Sequence, residues 1–153
     1  QLRNEKNDEK RQALKTGLPY ITPSGVFTYR NNDSLIEKSY TWVLPIDIDK
    51  KENPDINFNE LYDKIKSDQF TTIAFISPTG TGIKALIQLK ANMYDIQSQY
   101  DVFRDTIYPH FNKKWGCKCD IAQGKISQPF FLTHDPNIYV NEKAEILKID
   151  IKD

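Results

Sequence analysis

Histidine, cysteine and methionine are scarce in this chain: two, two and one among 153 residues. That leaves little for a structural zinc site. Cys117 and Cys119 lie a single residue apart, closer than the two-residue or longer spacers usual for paired zinc cysteines. With His110 and His134 a four-ligand set can still be drawn, and against it stands the reading of two ordinary reduced thiols near a strand start. A disulfide between them would be strained and out of place in a reducing compartment. Also missing are any run of about 18 apolar residues and any signal-peptide pattern, so neither membrane nor export is indicated and the reading is cytoplasmic. Net charge is absent too, since 21 Lys and Arg balance 21 Asp and Glu. A polyanionic partner can therefore be argued only from local basic clusters, at residues 10–15, 50–51 and 113–118.

What is present suits one compact domain over residues 1–153, with 39% apolar and 12% aromatic residues. The core is expected at about 41–141, with 1–40 as an extension packed on it. The Gln1 opening and polar tail fit a fragment of a larger polypeptide. Residues 1–16 suit an exposed helix stopped by Gly17 and Pro19. A short extended piece, SGVFTYR, follows and ends at the turn Asn31-Asn32-Asp33. Residues 41–49 read as a strand, with Pro45 implying a bulge or a start at Ile46. Asn57-Phe58-Asn59-Glu60 opens a helix with Phe58, Leu61, Tyr62 and Ile65 on one face. TTIAFIS and IKALIQL predict a hairpin joined by PTGTG. From Asp95 to Lys114, Ile96, Tyr100, Phe103, Ile107 and Phe111 recur at helical spacing. ISQPFFLTH and the region of Ile138 and Tyr139 predict the last strands. The order over 41–134 is β-α-β-β-α-β, an α+β class with a ferredoxin-like sheet.

The stretch LPIDIDKK carries the chemistry. Ile46 and Ile48 take one face of the strand and Asp47 and Asp49 the other. Two like charges at a strand end repel unless a cation offsets them. In a ferredoxin-like sheet the first strand lies between the third and fourth, which brings Asp47 and Asp49 towards Gly82, Lys84 and Asp120. Three carboxylates suit Mg²⁺ or Mn²⁺ rather than zinc. The loop Ser77-Pro78-Thr79-Gly80-Thr81-Gly82 offers hydroxyls and amides to a phosphate chain, with Lys84 adding positive charge. Candidate nucleotide-binding residues are thus Ser77, Thr79, Gly80, Gly82 and Lys84, and candidate metal-holding catalytic residues Asp47, Asp49 and Asp120. Singly, these are a solvated strand end, a hairpin turn and a loop residue; only their meeting in space suggests phosphoryl transfer.

The ordered set LKTGLPYITPSGVF, LPIDIDKK, ISPTGTGIKALI, CDI and FFLTHDPNIYVN, over about residues 14–141, resembles the VirE amino-terminal-like branch of the archaeo-eukaryotic primase superfamily, the primase-polymerases. The resemblance implies a domain that takes nucleoside triphosphates with divalent metal and starts or extends strands on a single-stranded DNA template. It also implies a helicase or other replication domain as partner in phage, plasmid or mobile-element replication. Two positions depart from the wider pattern: Lys84 stands where much of the superfamily has histidine, and Gln128 where an arginine often precedes the Phe-Phe-Leu strand. The competing class is a nucleic-acid-binding module that keeps the fold without catalysis. A metal-dependent nuclease or cyclase is a third.

Overall fold

The alternation that predicts a strand at 41–49 produces one, and Pro45 does not break it. Strand β2 runs through the proline from Val43 to Asp49, because it has only one strand neighbour and an edge strand tolerates a residue without an N–H. The computed structural model describes residues 1–91 and 96–150 and is a mixed α+β chain. Helix α1 spans Asp8–Thr16, and β1 is the pair Tyr20–Ile21. After β2 come α2 (Phe58–Ser67), β3 (Thr71–Ile76) and β4 (Gly82–Ala91). A third helix follows in one continuous run: α3 (Gln99–Val102), a π-helical stretch Phe103–Ile107, and α4 (Tyr108–Trp115). Three short strands close the chain: β5 (Phe130–Phe131), β6 (Tyr139–Val140) and β7 (Leu147–Ile149).

The main sheet has the order β2-β4-β3-β6, all antiparallel, with β7 parallel to the far end of β4. β2 and β3 therefore run parallel with β4 inserted between them, joined by α2. Helices α2 and α3–α4 cover one face, where Leu44, Ile46, Ile48, Leu61, Ile65, Phe103, Ile107, Phe111 and Trp115 form a continuous core. Asp68 ties the two helices together: its Oδ2 accepts from Trp115 Nε1 at 2.9 Å and pairs with Lys114 Nζ at 2.8 Å. The π-helical widening immediately precedes Pro109, which cannot donate to the carbonyl four residues back; a locally widened turn accommodates it without ending the helix.

Several expectations are corrected. The first 16 residues are not one helix: Leu2–Asn4 form a separate 3₁₀ turn with Leu2 buried. SGVFTYR forms only an isolated bridge, Phe27 to Leu35. The strand expected in ISQPFFLTH does form at Phe130–Phe131, but it pairs with Tyr20–Ile21 in a separate two-stranded sheet rather than beside β2. Asp95, the expected start of the long helix, lies outside the described residues, as does the end of the 1–153 span beyond residue 150. Among the described residues no helix is long and apolar enough to cross a membrane.

Candidate functional site

The second face of the sheet carries the candidate residues. Its register sets Asp47 opposite Lys84 and Asp49 opposite Gly82, with Phe75 opposite Lys84 on the other side. Lys84 is not the exposed lysine that a turn-following position suggests. It is only 3% exposed, with its Nζ 2.7 Å from Asp47 Oδ2 and 4.4 Å from the Phe130 ring centroid. Strand β5 lies over it, and Phe130 meets Phe75 edge to face. The ion pair is thus largely removed from water, which strengthens the attraction and raises the cost of separating its members.

The free edge of β2 is closed by side chains and a loop. Pro45 O accepts from Tyr108 Oη at 2.8 Å, Asp47 O from the Asp120 amide at 2.8 Å, and Asp49 O from Asn53 Nδ2 at 2.9 Å. The hydrogen bond from the Asp120 amide fixes the backbone of Asp120 against that of Asp47. Asp120 opens a short 3₁₀ turn and its Oδ1 accepts from Ala122 N, while Asp49 Oδ1 accepts from Lys51 N in the same manner. Asp49 and Asp120 line one cleft of about 550 Å³ with Lys51, Glu52, Asn112, Lys118, Cys119 and Ile121.

Burial pushes the Asp47 carboxyl above the ordinary aspartate value. The Lys84 ammonium opposes the shift by charge and hydrogen bond, Asp120 adds to it, and Lys15 of α1 opposes it. The folded chain therefore binds a proton more readily than the unfolded one. Asp47 contributes stability that is fully present below the unfolded value of about 3.9 and is lost as pH rises through the folded one. Denaturant unfolding across this range should show the wild type losing stability relative to Asp47→Asn as pH increases. A gain instead would mean that Lys84 outweighs burial.

The loop between β3 and β4 is closed by its own amides, with Ser77 N donating to Gly82 O and Gly80 N to Ser77 O. A hydroxyl chain runs Ser77 Oγ, Thr79 Oγ1, Thr81 Oγ1 at 3.1 and 2.9 Å. Ser77 is buried and Gly80 exposed. Both candidate glycines have structural work: Gly80 sits at φ 77°, and a Cβ on Gly82 would lie 2.8 Å from Ile48 O. Gly82→Ala should therefore cost about 1–3 kcal/mol by forcing β2 from β4, read as a lower Tm without any ligand present. An unchanged Tm would leave the glycine to ligand binding alone.

The structure brings Asp49 and Asp120 to one cleft, places Asp47 next to them behind its pairing with Lys84, and turns the loop's Pro78 towards a different groove. That groove, about 910 Å³, is lined by Arg3, Leu14, Pro19, Thr133 and His134 among others. Arg3 donates to Ser77 O at 3.3 Å and packs over Gly80. Arg3 and Phe130 carry no sequence signal that marks them as neighbours of the site. Each lies far along the chain from the residue it touches, and no periodicity links them. Lys114, counted among the basic residues, is engaged by Asp68, and Gln128 lines a separate small cleft with Asn32 and Tyr100.

Among the described residues no three His, Cys, Asp or Glu side chains are grouped closely enough to hold a metal together. The donors still suit a hard cation that takes one or two carboxylates and completes its shell with substrate oxygens. Asp49 and Asp120 each spend Oδ1 on a backbone amide, and neither Oδ2 has a hydrogen-bond partner among the described residues.

A family model described as BT4734-like, N-terminal domain, matches residues 13–140. Neither the curated proteins nor the solved structures contain a match.

Proposed function

We propose that this chain, which belongs to the BT4734-like, N-terminal domain family, is a template-dependent nucleotidyltransferase of the primase-polymerase kind. The observation that supports it most is the joint lining of one cleft by Asp49 and Asp120 beside the Asp47–Lys84 pair. In this reading β2, α2, β3, β4 and the long helix are the first five elements of a ferredoxin-like βαββαβ sheet. The stretch ending at Asp120, bonded to Asp47 O, stands where the fourth strand would be.

Mg²⁺ or Mn²⁺ held by Asp49 and Asp120 would supply charge neutralisation at triphosphate oxygens and activation of the attacking hydroxyl. The chain's own residues do the rest. Lys51 and Lys118 in the same cleft draw in the anionic triphosphate, with Lys118 partly offset by Glu52 at 3.3 Å. Thr79 and Thr81, at the turn beside Asp49, offer hydroxyls, while Lys84 fixes the Asp47 carboxylate rather than reaching for phosphate. The substrates are nucleoside triphosphates on a single-stranded DNA template, with a helicase or other replication domain of a phage, plasmid or mobile element as partner.

A second reading, a nucleic-acid-binding module without catalysis, is favoured by one observation: Lys84 is buried and paired with Asp47 Oδ2, so the lysine is not free for a ligand. Primer synthesis and extension on single-stranded DNA with labelled nucleotides and either metal separates the two. Incorporation supports the transferase. Strand binding with no incorporation in either metal supports the module.

A further inference from the structure

The ribbon of β1 and β5 takes no part in the chemistry above beyond the burial of Lys84 by Phe130, and one end of the basic run at residues 10–15 lies against it. Lys15 of α1 stands 5.9 Å from the centroid of the Phe131 ring, and the same ring meets Tyr20 edge to face. Two grooves follow one another along this ribbon. The first, of about 910 Å³, is walled by Leu18 and Pro19 just before β1, by Leu132 and Thr133 just after β5, and by Arg3 and His134. The second, of about 430 Å³, begins at Tyr20 and Ile21 of β1 and continues to Tyr29 and Arg30. Tyr20 is 47% exposed and Tyr29 75%. Arg3, Arg30 and His134 are exposed as well.

Charge selects the occupant. Among the described residues no aspartate or glutamate lines either groove, in a chain that carries 21 of them. The acidic residues nearby in sequence are turned elsewhere: Asp135 accepts from Ile76 N and Asn137 N, and Glu5 Oε1 accepts from Asn7 N. Asp33 sits in the turn after Arg30 and does not line the groove.

We propose that single-stranded nucleic acid lies along the β1–β5 ribbon, its phosphates held by Arg3, Lys15 and Arg30 and its bases stacked on Tyr20 and Tyr29. Cations interleaved with exposed rings are what a single strand needs, because its phosphates require neutralising and its unpaired bases present flat apolar faces. A duplex keeps its bases stacked on one another and would leave both rings uncovered. An apolar protein segment would leave the cations unmatched. The first groove also opens beside the glycine turn: Pro78 lines it and Arg3 packs over Gly80, while Gly82 of the same turn pairs with Asp49. A strand on the ribbon therefore leads towards the candidate cleft. That direction rests on the proposed nucleotidyl-transfer reading; the strand binding itself does not.

The test uses the full chain, kept metal-free with EDTA, and a fluorescein-labelled oligothymidylate of about 15 nucleotides read by anisotropy. Tyr29→Ala should weaken binding about tenfold, Tyr29→Phe should keep most of the affinity, and Tyr29→Leu should not. Arg3→Gln and Arg30→Gln should each make the dependence of log affinity on log salt shallower by about 0.7, whereas Lys113→Gln on α4 should leave it unchanged. These side chains are all exposed, so circular dichroism and Tm should stay at wild-type values. A 4-thiothymidine strand cross-linked by ultraviolet light should map to the peptides carrying Tyr20 and Tyr29. Full affinity in Tyr29→Ala and in the double arginine variant, an equal loss in Lys113→Gln, a preference for duplex, or no strand binding at all would overturn the assignment. Self-association that Tyr29→Ala abolishes, with no strand binding, would give the ribbon to a second copy of the chain instead. Primer extension is scored separately. Strand binding that depends on Tyr29 without incorporation in either metal would end the transferase reading and leave the ribbon assignment standing. Incorporation unaffected by Tyr29→Ala at limiting template would remove the ribbon from the path to the cleft.

Discussion

Asp49→Asn and Asp120→Asn should each reduce metal-dependent nucleotide incorporation by about a hundredfold or more, with unfolding free energy within about 0.5 kcal/mol of wild type. Both carboxylates are exposed and line the same cleft. Asparagine can keep the local hydrogen bond that each Oδ1 makes to the amide two residues on. The substitution thus removes charge and metal affinity while sparing the turn. Single-turnover incorporation at saturating nucleotide, with Mn²⁺ titrated separately, checks it. Full activity in both variants would remove the cleft from the chemistry. A fall in activity matched by a fall in Tm would mean that the carboxylates serve the turns.

Lys84→Ala should behave in the opposite way, lowering stability by about 2–4 kcal/mol before any effect on substrate is measured. The ammonium is buried against the Phe130 ring and its removal leaves Asp47 without its cation, in a position where burial already disfavours the charged carboxylate. Asp47 keeps 21% of its side chain exposed, so water offsets part of the loss. Lys84→Met keeps the stem's packing and should cost less than alanine. Adding Asp47→Asn to Lys84→Met should recover part of the loss, a non-additivity that a double-mutant cycle reads directly. A stable Lys84→Ala with weakened triphosphate binding would instead return Lys84 to the role of a phosphate ligand.

That reversal for Lys84 marks where reading the sequence stops. Local pattern marks α2, the β3–β4 hairpin and the long helix, whose defining contacts lie within or next to their own residues, and it marks β2 through its apolar–polar alternation although its partner β4 lies about forty residues on. A lysine just after a turn is ordinarily exposed, and Lys84 is buried by its pairing with Asp47 and by Phe130, 46 residues later, neither of which a local pattern registers. Strands β1 and β5 have two residues each, too short for any alternation to register, and they are defined by each other. Asp120 lies close to Asp47 through a backbone hydrogen bond rather than through a strand, which no local pattern indicates. The arginine on the glycine loop comes from residue 3, where nothing in the local pattern distinguishes it from its neighbours.

The sealed margin of β2 has a consequence for how the molecule behaves in a crowded solution. An unprotected sheet border invites a strand from another copy to add itself, the first event in ordered aggregation. Here a proline offers no donor, and three consecutive outward carbonyls are already taken by Tyr108, Asp120 and Asn53. An incoming strand would have to break those bonds to gain its own. A partner chain at this border therefore has to dock through side chains rather than by lengthening the sheet, and the border can lie beside the candidate cleft without becoming a site of self-association.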